Sequence, residues 1–264
     1  MKRLQLFVKG NVDVHDSLHS CRIGGTLEWN GVNEVMRAQF PGTTIRIKHE
    51  TLTRSDALLA ASGEIPSDFA SLSLPLEPYS QAMQFSRAIF DTFCDAVVLT
   101  IQPDVCTVLY QHRCDGYTIY PNNLAEWRPA ARAWLRDEFI LLGRLDCETS
   151  MAQLEKIIAR LRAERDVPVL IYNVSSFVPG EISHCLQGLG DTFPRRARRF
   201  NAALEDLSER TGISIIDVET IVARGGADRL KIDALHLTAQ GYRLVAEEVA
   251  RVLHDIGLLD EGEN

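Results

Sequence analysis

The sequence predicts a three-layer α/β fold built on a doubly wound, five-stranded parallel sheet. Short apolar runs rich in Val and Ile recur along the chain without strict alternation, the pattern of strands buried on both faces. Segments with apolar residues at helical spacing lie between them. Strands alternating with helices imply a parallel sheet covered on both sides, and right-handed crossovers then restrict its topology to few choices.

Taken in order, the strands are expected at Leu4–Val8, Thr44–Lys48, Ala96–Ile101, Val167–Tyr172 and Ile213–Ile216. A helix is expected from Leu27 to Gln39, carrying Leu27, Val35 and Met36 and stopped by Pro41-Gly42. Met151, Leu154, Ile157, Ile158 and Leu161 mark a second helix before the fourth strand. Phe200, Leu204 and Leu207 mark a third before the fifth strand, with Gly212 as its C-terminal cap. In the last helix Thr238 is the N-cap, and Leu244, Val245, Val249, Val252 and Leu253 form the apolar stripe. Gly63–Tyr79, with three prolines, suits no regular element, and the aromatic-rich stretch Val105–Leu142 reads as an insertion over the site. The tail Asp260–Asn264 is expected to fray. The whole chain, residues 1–264, is expected to form one domain.

Composition narrows the function classes. The 264 residues carry a formal net charge of −8, so no excess of Lys and Arg is present to neutralise a nucleic-acid backbone. The basic run Arg195–Arg199 is expected to be a solvated helix face. No stretch approaches membrane-spanning length, and Leu4–Val8 is too short for the apolar core of a secretory leader. Neither nucleic acid nor a membrane is therefore expected as partner. The six cysteines form no Cys-x-x-Cys pair, which gives no support to zinc or redox motifs and suits reduced thiols in a cytoplasmic protein.

In an open parallel sheet, ligands bind beyond the carboxyl ends of the strands. The residues to inspect therefore follow Val8, Lys48, Ile101, Tyr172 and Ile216. Beyond the last strand come Asp217, a Gly225-Gly226 loop and then Lys231-Ile232-Asp233-Ala234-Leu235-His236-Leu237-Thr238. A carboxylate at Asp233 can orient the His236 imidazole and leave its second ring nitrogen as a general base.

The block Asp233-Ala-Leu-His236 followed by Gly241-Tyr242 resembles the last block of the SGNH/GDSL hydrolase family. Arg199-Phe200-Asn201 and the strand ending at Asp217 are similar to that family as well. The resemblance implies a flavodoxin-like sheet and a Ser-His-Asp hydrolase or acyltransferase. Its substrate would be a small-molecule ester or acyl group, and no metal or organic cofactor is implied. The family places a nucleophilic Ser after the first strand, and two registers compete here. In one, Asp16-Ser17-Leu18 fills the block and Ser17 attacks. In the other, Gly10-Asn11-Val12 fills it and the nucleophile position holds Val12. Strand length favours the second, because Lys9, Gly10 and Asn11 are poor strand formers; the Asp-Ser-Leu triplet favours the first.

The family also carries oxyanion donors, which developing negative charge requires. Here the second strand is followed by no Gly, and Gln102 stands where the family has Asn after the third. Arg54 and Arg113 are candidate substrate-anion contacts. Three readings follow: covalent catalysis by Ser17, His236 and Asp233; a protein that keeps the fold and binds a partner in a biosynthetic pathway; and His236 acting as base without a covalent step.

Overall fold

A computed structural model describes residues 2–163, 165–181 and 190–259. In chain order, the first half runs β1 (Lys2–Lys9), α1 (Val12–Leu18), β2 (Cys21–Ile23), β3 (Thr26–Trp29), α2 (Val32–Gln39), β4 (Thr43–Glu50), α3 (Ser55–Ala60), α4 (Ser67–Ala70), α5 (Gln81–Phe85), α6 (Ala88–Asp91) and β5 (Ala96–Thr100). The second half runs α7 (Gln102–Cys106), β6 (Tyr110–His112), β7 (Thr118–Ile119), α8 (Pro129–Glu138), β8 (Phe139–Leu141), α9 (Cys147–Arg162), β9 (Val169–Tyr172), α10 (Phe193–Thr211), β10 (Ser214–Ile216), α11 (Val218–Gly225), α12 (Ala227–Leu230) and α13 (Ala239–Asp255).

The central sheet has five strands in the order β4-β1-β5-β9-β10, and every pairing is parallel. Counted along the chain this is the order 2-1-3-4-5 of a flavodoxin-like doubly wound sheet, whose topological switch point lies between β1 and β5. Alternation along β1 explains the two cores. Leu4, Leu6 and Val8 face the cluster that includes Val14, Val35, Tyr242, Val245 and Val249. Phe7 points the other way, into the cluster formed with Leu154, Ile158, Phe200 and Leu204. Buried on both faces, these strands have no polar side to show, which is why their sequences do not alternate.

The expected helix from Leu27 is corrected: helix α2 starts at Val32, and Thr26–Trp29 forms a small antiparallel sheet with Cys21–Ile23. Gly31 sits at φ 80° before α2, and a Cβ there would lie 1.9 Å from the His19 carbonyl oxygen. The chain therefore turns at Gly31 before the helix starts.

Strands β6, β7 and β8 form a third sheet in the order β7-β6-β8. Ile119, Trp127, Leu135 and Phe139 pack there with Phe69, Leu76 and Phe85 as a separate apolar cluster. The stretch Gly63–Tyr79, expected to hold no regular element, thus forms α4 and contributes Phe69 and Leu76 to this third cluster. The expected fraying of Asp260–Asn264 lies outside the described residues. Among those residues, no helix is long and apolar enough to cross a membrane, and Cys21, Cys94, Cys106, Cys114 and Cys147 are free thiols.

Candidate active site

At the switch point, β1 stays paired to β4 through Lys9 and Glu50. The Lys9 ammonium meets the Glu50 carboxylate at 2.9 Å. The chain leaves the sheet at Gly10, where a Cβ would fall 2.6 Å from Val14 Cγ2. Helix α1 then starts at Val12 with Asn11 as its N-cap residue. The strand therefore ends at Lys9 and α1 starts at Val12, which is where the Gly10-Asn11-Val12 register expects the turn. Asp13 follows, with Thr100 Oγ1 donating to its Oδ2 at 2.6 Å across the switch point. Burial raises the Asp13 carboxyl above the usual range, against the Thr100 bond.

Ser17 is placed elsewhere than the Asp-Ser-Leu register needs. It lies at the end of α1, fully buried. Its hydroxyl is within 2.9 Å of the Asp13 carbonyl, 3.1 Å of the Val14 carbonyl and 3.1 Å of the Tyr172 hydroxyl. Donating back into the preceding helical turn is a common use of a mid-helix Ser. A hydroxyl engaged in this way inside the core is not presented to a substrate.

Arg54 is also corrected. It is buried, paired to Asp56 through Nε at 2.8 Å and a terminal nitrogen at 2.6 Å, and donates to the Gly143 carbonyl at 3.0 Å. Its guanidinium braces the chain and is not open to a substrate anion. Arg113 is exposed on the small sheet, with Nε donating to the Asp137 carbonyl. Gln102 is buried at the first position of α7, directly beyond β5. Near it, Asp104 accepts from the Ser55 amide, the Ser55 hydroxyl and the Ser150 hydroxyl. Burial pushes Asp104 up to about 6 in spite of those donors. In the basic run Arg195, Arg198 and Arg199 are exposed as expected, but Arg196 is corrected: it is buried and donates to the carbonyls of Val105, Asp104 and Leu145. Asn201, on the same helix, binds both the amide and the carbonyl of Val174, holding the segment after β9.

Asp217 caps α11, accepting from Thr220 N at 3.0 Å and from Asn173 Nδ2 at 2.8 Å. Further on, the loop from Lys231 to Leu237 is closed at its base by a bridge between those two residues. Asp233 Oδ1 accepts from the amides of Leu235 and His236, each at 2.8 Å. Its Oδ2 lies 2.7 Å from His236 Nδ1. Burial alone would raise Asp233, but those amides and the imidazole outweigh it and hold the carboxyl below its usual range. An ionised Asp233 accepts from Nδ1–H, which leaves Nε2 as the basic nitrogen. The side chain is 45% exposed, so the imidazole is open to solvent. Thr238 caps α13 as expected, accepting from Gly241 N. Gly241 is required by space, because a Cβ there would lie 2.6 Å from the Leu230 carbonyl oxygen.

Sequence reasoning missed three imidazoles beside α1. His15, His19 and His49 have ring centroids 5.1–5.5 Å apart. His49 Nε2 lies 2.9 Å from the Gly10 carbonyl, and His19 Nε2 is buried without a hydrogen-bond partner. Burial pushes His49 down to about 4, the neighbouring rings adding to the effect and the Gly10 carbonyl opposing it. The spacing of His15 and His19 at i, i+4 puts both on one helix face, but only the fold brings β4 to them. Among the described residues, no group of three or more His, Cys, Asp or Glu is arranged to hold a metal ion.

The model of the GDSL-like lipase/acylhydrolase family matches residues 95–244, more than half of the chain. The chain belongs to that family. It is thus an SGNH/GDSL-type ester hydrolase by membership, and the match spans β5 to α13 while starting after α1. No curated protein matches the sequence. Among solved structures, LAE5, an alpha/beta hydrolase enzyme from the metagenome of Lake Arreo, aligns with TM-score 0.53 and 14% identity over 98% of this chain and 97% of that one. The acetylxylan esterase Axe2 of Geobacillus stearothermophilus aligns with TM-score 0.52 and 14% identity, over 99% and 97%. A lipase/acylhydrolase from Enterococcus faecalis gives TM-score 0.52 and 10% identity, over 97% of each chain. At these identities the neighbours show a shared fold.

Proposed function

We propose that this GDSL-family protein cleaves or transfers the acyl group of a small-molecule ester, with His236 as general base and a water or acceptor molecule as attacking group. The observation that carries the reading is the contrast in presentation: His236 is oriented by Asp233 and exposed, whereas the Ser17 hydroxyl is buried and engaged. In hydrolysis, His236 Nε2 takes a proton from water as the water oxygen bonds to the acyl carbon. The carbon–oxygen bond to the leaving group then breaks, and the imidazolium returns its proton to the departing alcohol. Asp233 stabilises the imidazolium between the two transfers. Gln102, beyond β5, is the proposed donor to the developing oxyanion. Arg113 is retained as a substrate-anion contact, because its side chain is exposed.

A fluorophosphonate probe and a chromogenic acetyl ester test this directly. The expected result is turnover that survives Ser17→Ala, disappears in His236→Ala, and is accompanied by no covalent labelling. Labelling of the wild type that is lost in Ser17→Ala would overturn the proposal in favour of an acyl-enzyme on Ser17. A folded wild type with neither labelling nor turnover would favour a binding role, which the Gly10-Asn11-Val12 register would fit.

A further inference from the structure

Lys231 lies at the base of the loop that carries Asp233 and His236, and it is 5% exposed. Its ammonium donates to the carbonyls of Phe177 at 2.7 Å, Ala234 at 2.8 Å and Ser175 at 3.3 Å. An ammonium has three donors and no acceptor, so these carbonyls use its full capacity. The charged groups facing it are Glu219 on α11 and Asp233 in its own loop. Glu219 is already committed to the Ser176 amide and hydroxyl, and Asp233 to Leu235 and His236. The buried charge thus gathers carbonyls from two separate segments instead of forming a close ion pair.

One of those carbonyls has particular leverage. The Ala234 carbonyl and the Leu235 N–H belong to one rigid peptide plane. Lys231 holds the oxygen of that plane, and Asp233 Oδ1 holds its N–H. The same Asp233 carboxylate holds His236 Nδ1 through its other oxygen. Ser175 and Phe177, the remaining partners, belong to the segment that Asn201 fastens to α10 through Val174.

We infer that Lys231 is a positioning residue, whose ammonium ties the Asp233–His236 loop to the segment after β9 and thereby sets the place of the imidazole at the sheet edge. This rests on the reading of His236 as the general base. Burial also lowers Lys231 to about 8, with Glu219 and Asp233 pulling in the opposite direction. Above that pH the neutral amine keeps two donors for three carbonyls, and the tie weakens.

The test compares wild type, Lys231→Met and Lys231→Arg. The His236 Nδ1 proton is followed by NMR, and kcat and KM on a chromogenic acetyl ester are followed from neutral to alkaline pH. Lys231→Met is expected to shift or broaden the Nδ1 signal and to lower kcat on the order of 10²-fold with little change in KM, as a displaced catalytic group does. Lys231→Arg, which stays charged, is expected to restore the signal and move the alkaline fall in kcat to higher pH. A wild-type Nδ1 signal and kcat in Lys231→Met would overturn the inference, as would an unchanged alkaline limb in Lys231→Arg. If Lys231→Met does not fold, the arginine variant decides alone. If the wild type turns over no ester, the reading of His236 fails, and the Nδ1 signals of the variants still decide what Lys231 does.

Discussion

At the carboxyl end of the sheet, the loop from Lys231 to Leu237 turns Asp233 and His236 outward, while α1 turns Asp13 and Ser17 inward. Asp233 and His236 are about half exposed and bonded to each other. Ser17 is sealed against Tyr172, and Asp13 is drawn into the crevice by Thr100. The family model covers the first region and starts beyond the second. The difference teaches that the two candidate parts of the site lie on separate pieces of chain, and each follows its own packing. The loop is held by its own amides and by Lys231, none of which belongs to α1. Helix α1 is held by apolar packing, with Val14 and Leu18 in the same core as Tyr242 and Val245 of α13.

The sharpest way to break this comparison is Asp233→Asn. If the loop supplies the base, kcat/KM for an acetyl ester should fall on the order of 10²- to 10⁴-fold, with circular dichroism unchanged. An active variant would remove the loop from the chemistry. Gly241→Ala comes next. The added methyl meets the Leu230 carbonyl at 2.6 Å, which neither backbone can relieve cheaply. A loss of about 1–3 kcal/mol, read by denaturant unfolding, is expected for such overpacking.

Acid should separate the two regions by pH window. His49 is held at about 4 in the folded protein against a usual value of 6.5. Between those values the unfolded chain binds more protons, so stability rises with pH. The contribution of a neutral His49 is thus complete above about 6.5 and lost as pH falls toward about 4. Asp233, whose carboxyl is held below its usual range, loses its contribution only as pH falls further, through that lowered value. Hydrogen exchange along an acid titration should therefore loosen α1 and β4 before the Asp233–His236 loop, and the reverse order would refute the comparison. The smallest effect is expected for Ser17→Ala: about 1 kcal/mol of stability, from a hydroxyl shared with Tyr172, with turnover unchanged.

The five central strands were legible because burial on both faces leaves long Val and Ile runs that few other environments tolerate. The last helix was legible because Thr238, its apolar stripe and the residues before it all act locally. The hairpin at Cys21–Trp29 was not, since Leu27, Val35 and Met36 mimic a helical stripe and only the turn at Gly31 separates them. Ser17 misled because three residues matched a motif while the strand that must present it ends at Lys9. Arg54 read as a substrate-anion contact and Arg196 as a surface charge, yet each collects backbone carbonyls from segments far away in sequence. No local pattern encodes such a gathering. The imidazole cluster and the Lys231 tie have the same character: the residue types are visible, and the partners exist only in the fold.

Gly241 carries a consequence for descent. The small residue of the Gly-Tyr pair is demanded by the Leu230 carbonyl beneath it, a neighbour that has no part in proton transfer. Selection for folding alone would preserve it, generation after generation, in a lineage whose chemistry had drifted or ceased. The glycine is therefore held by packing, whatever becomes of the chemistry above it.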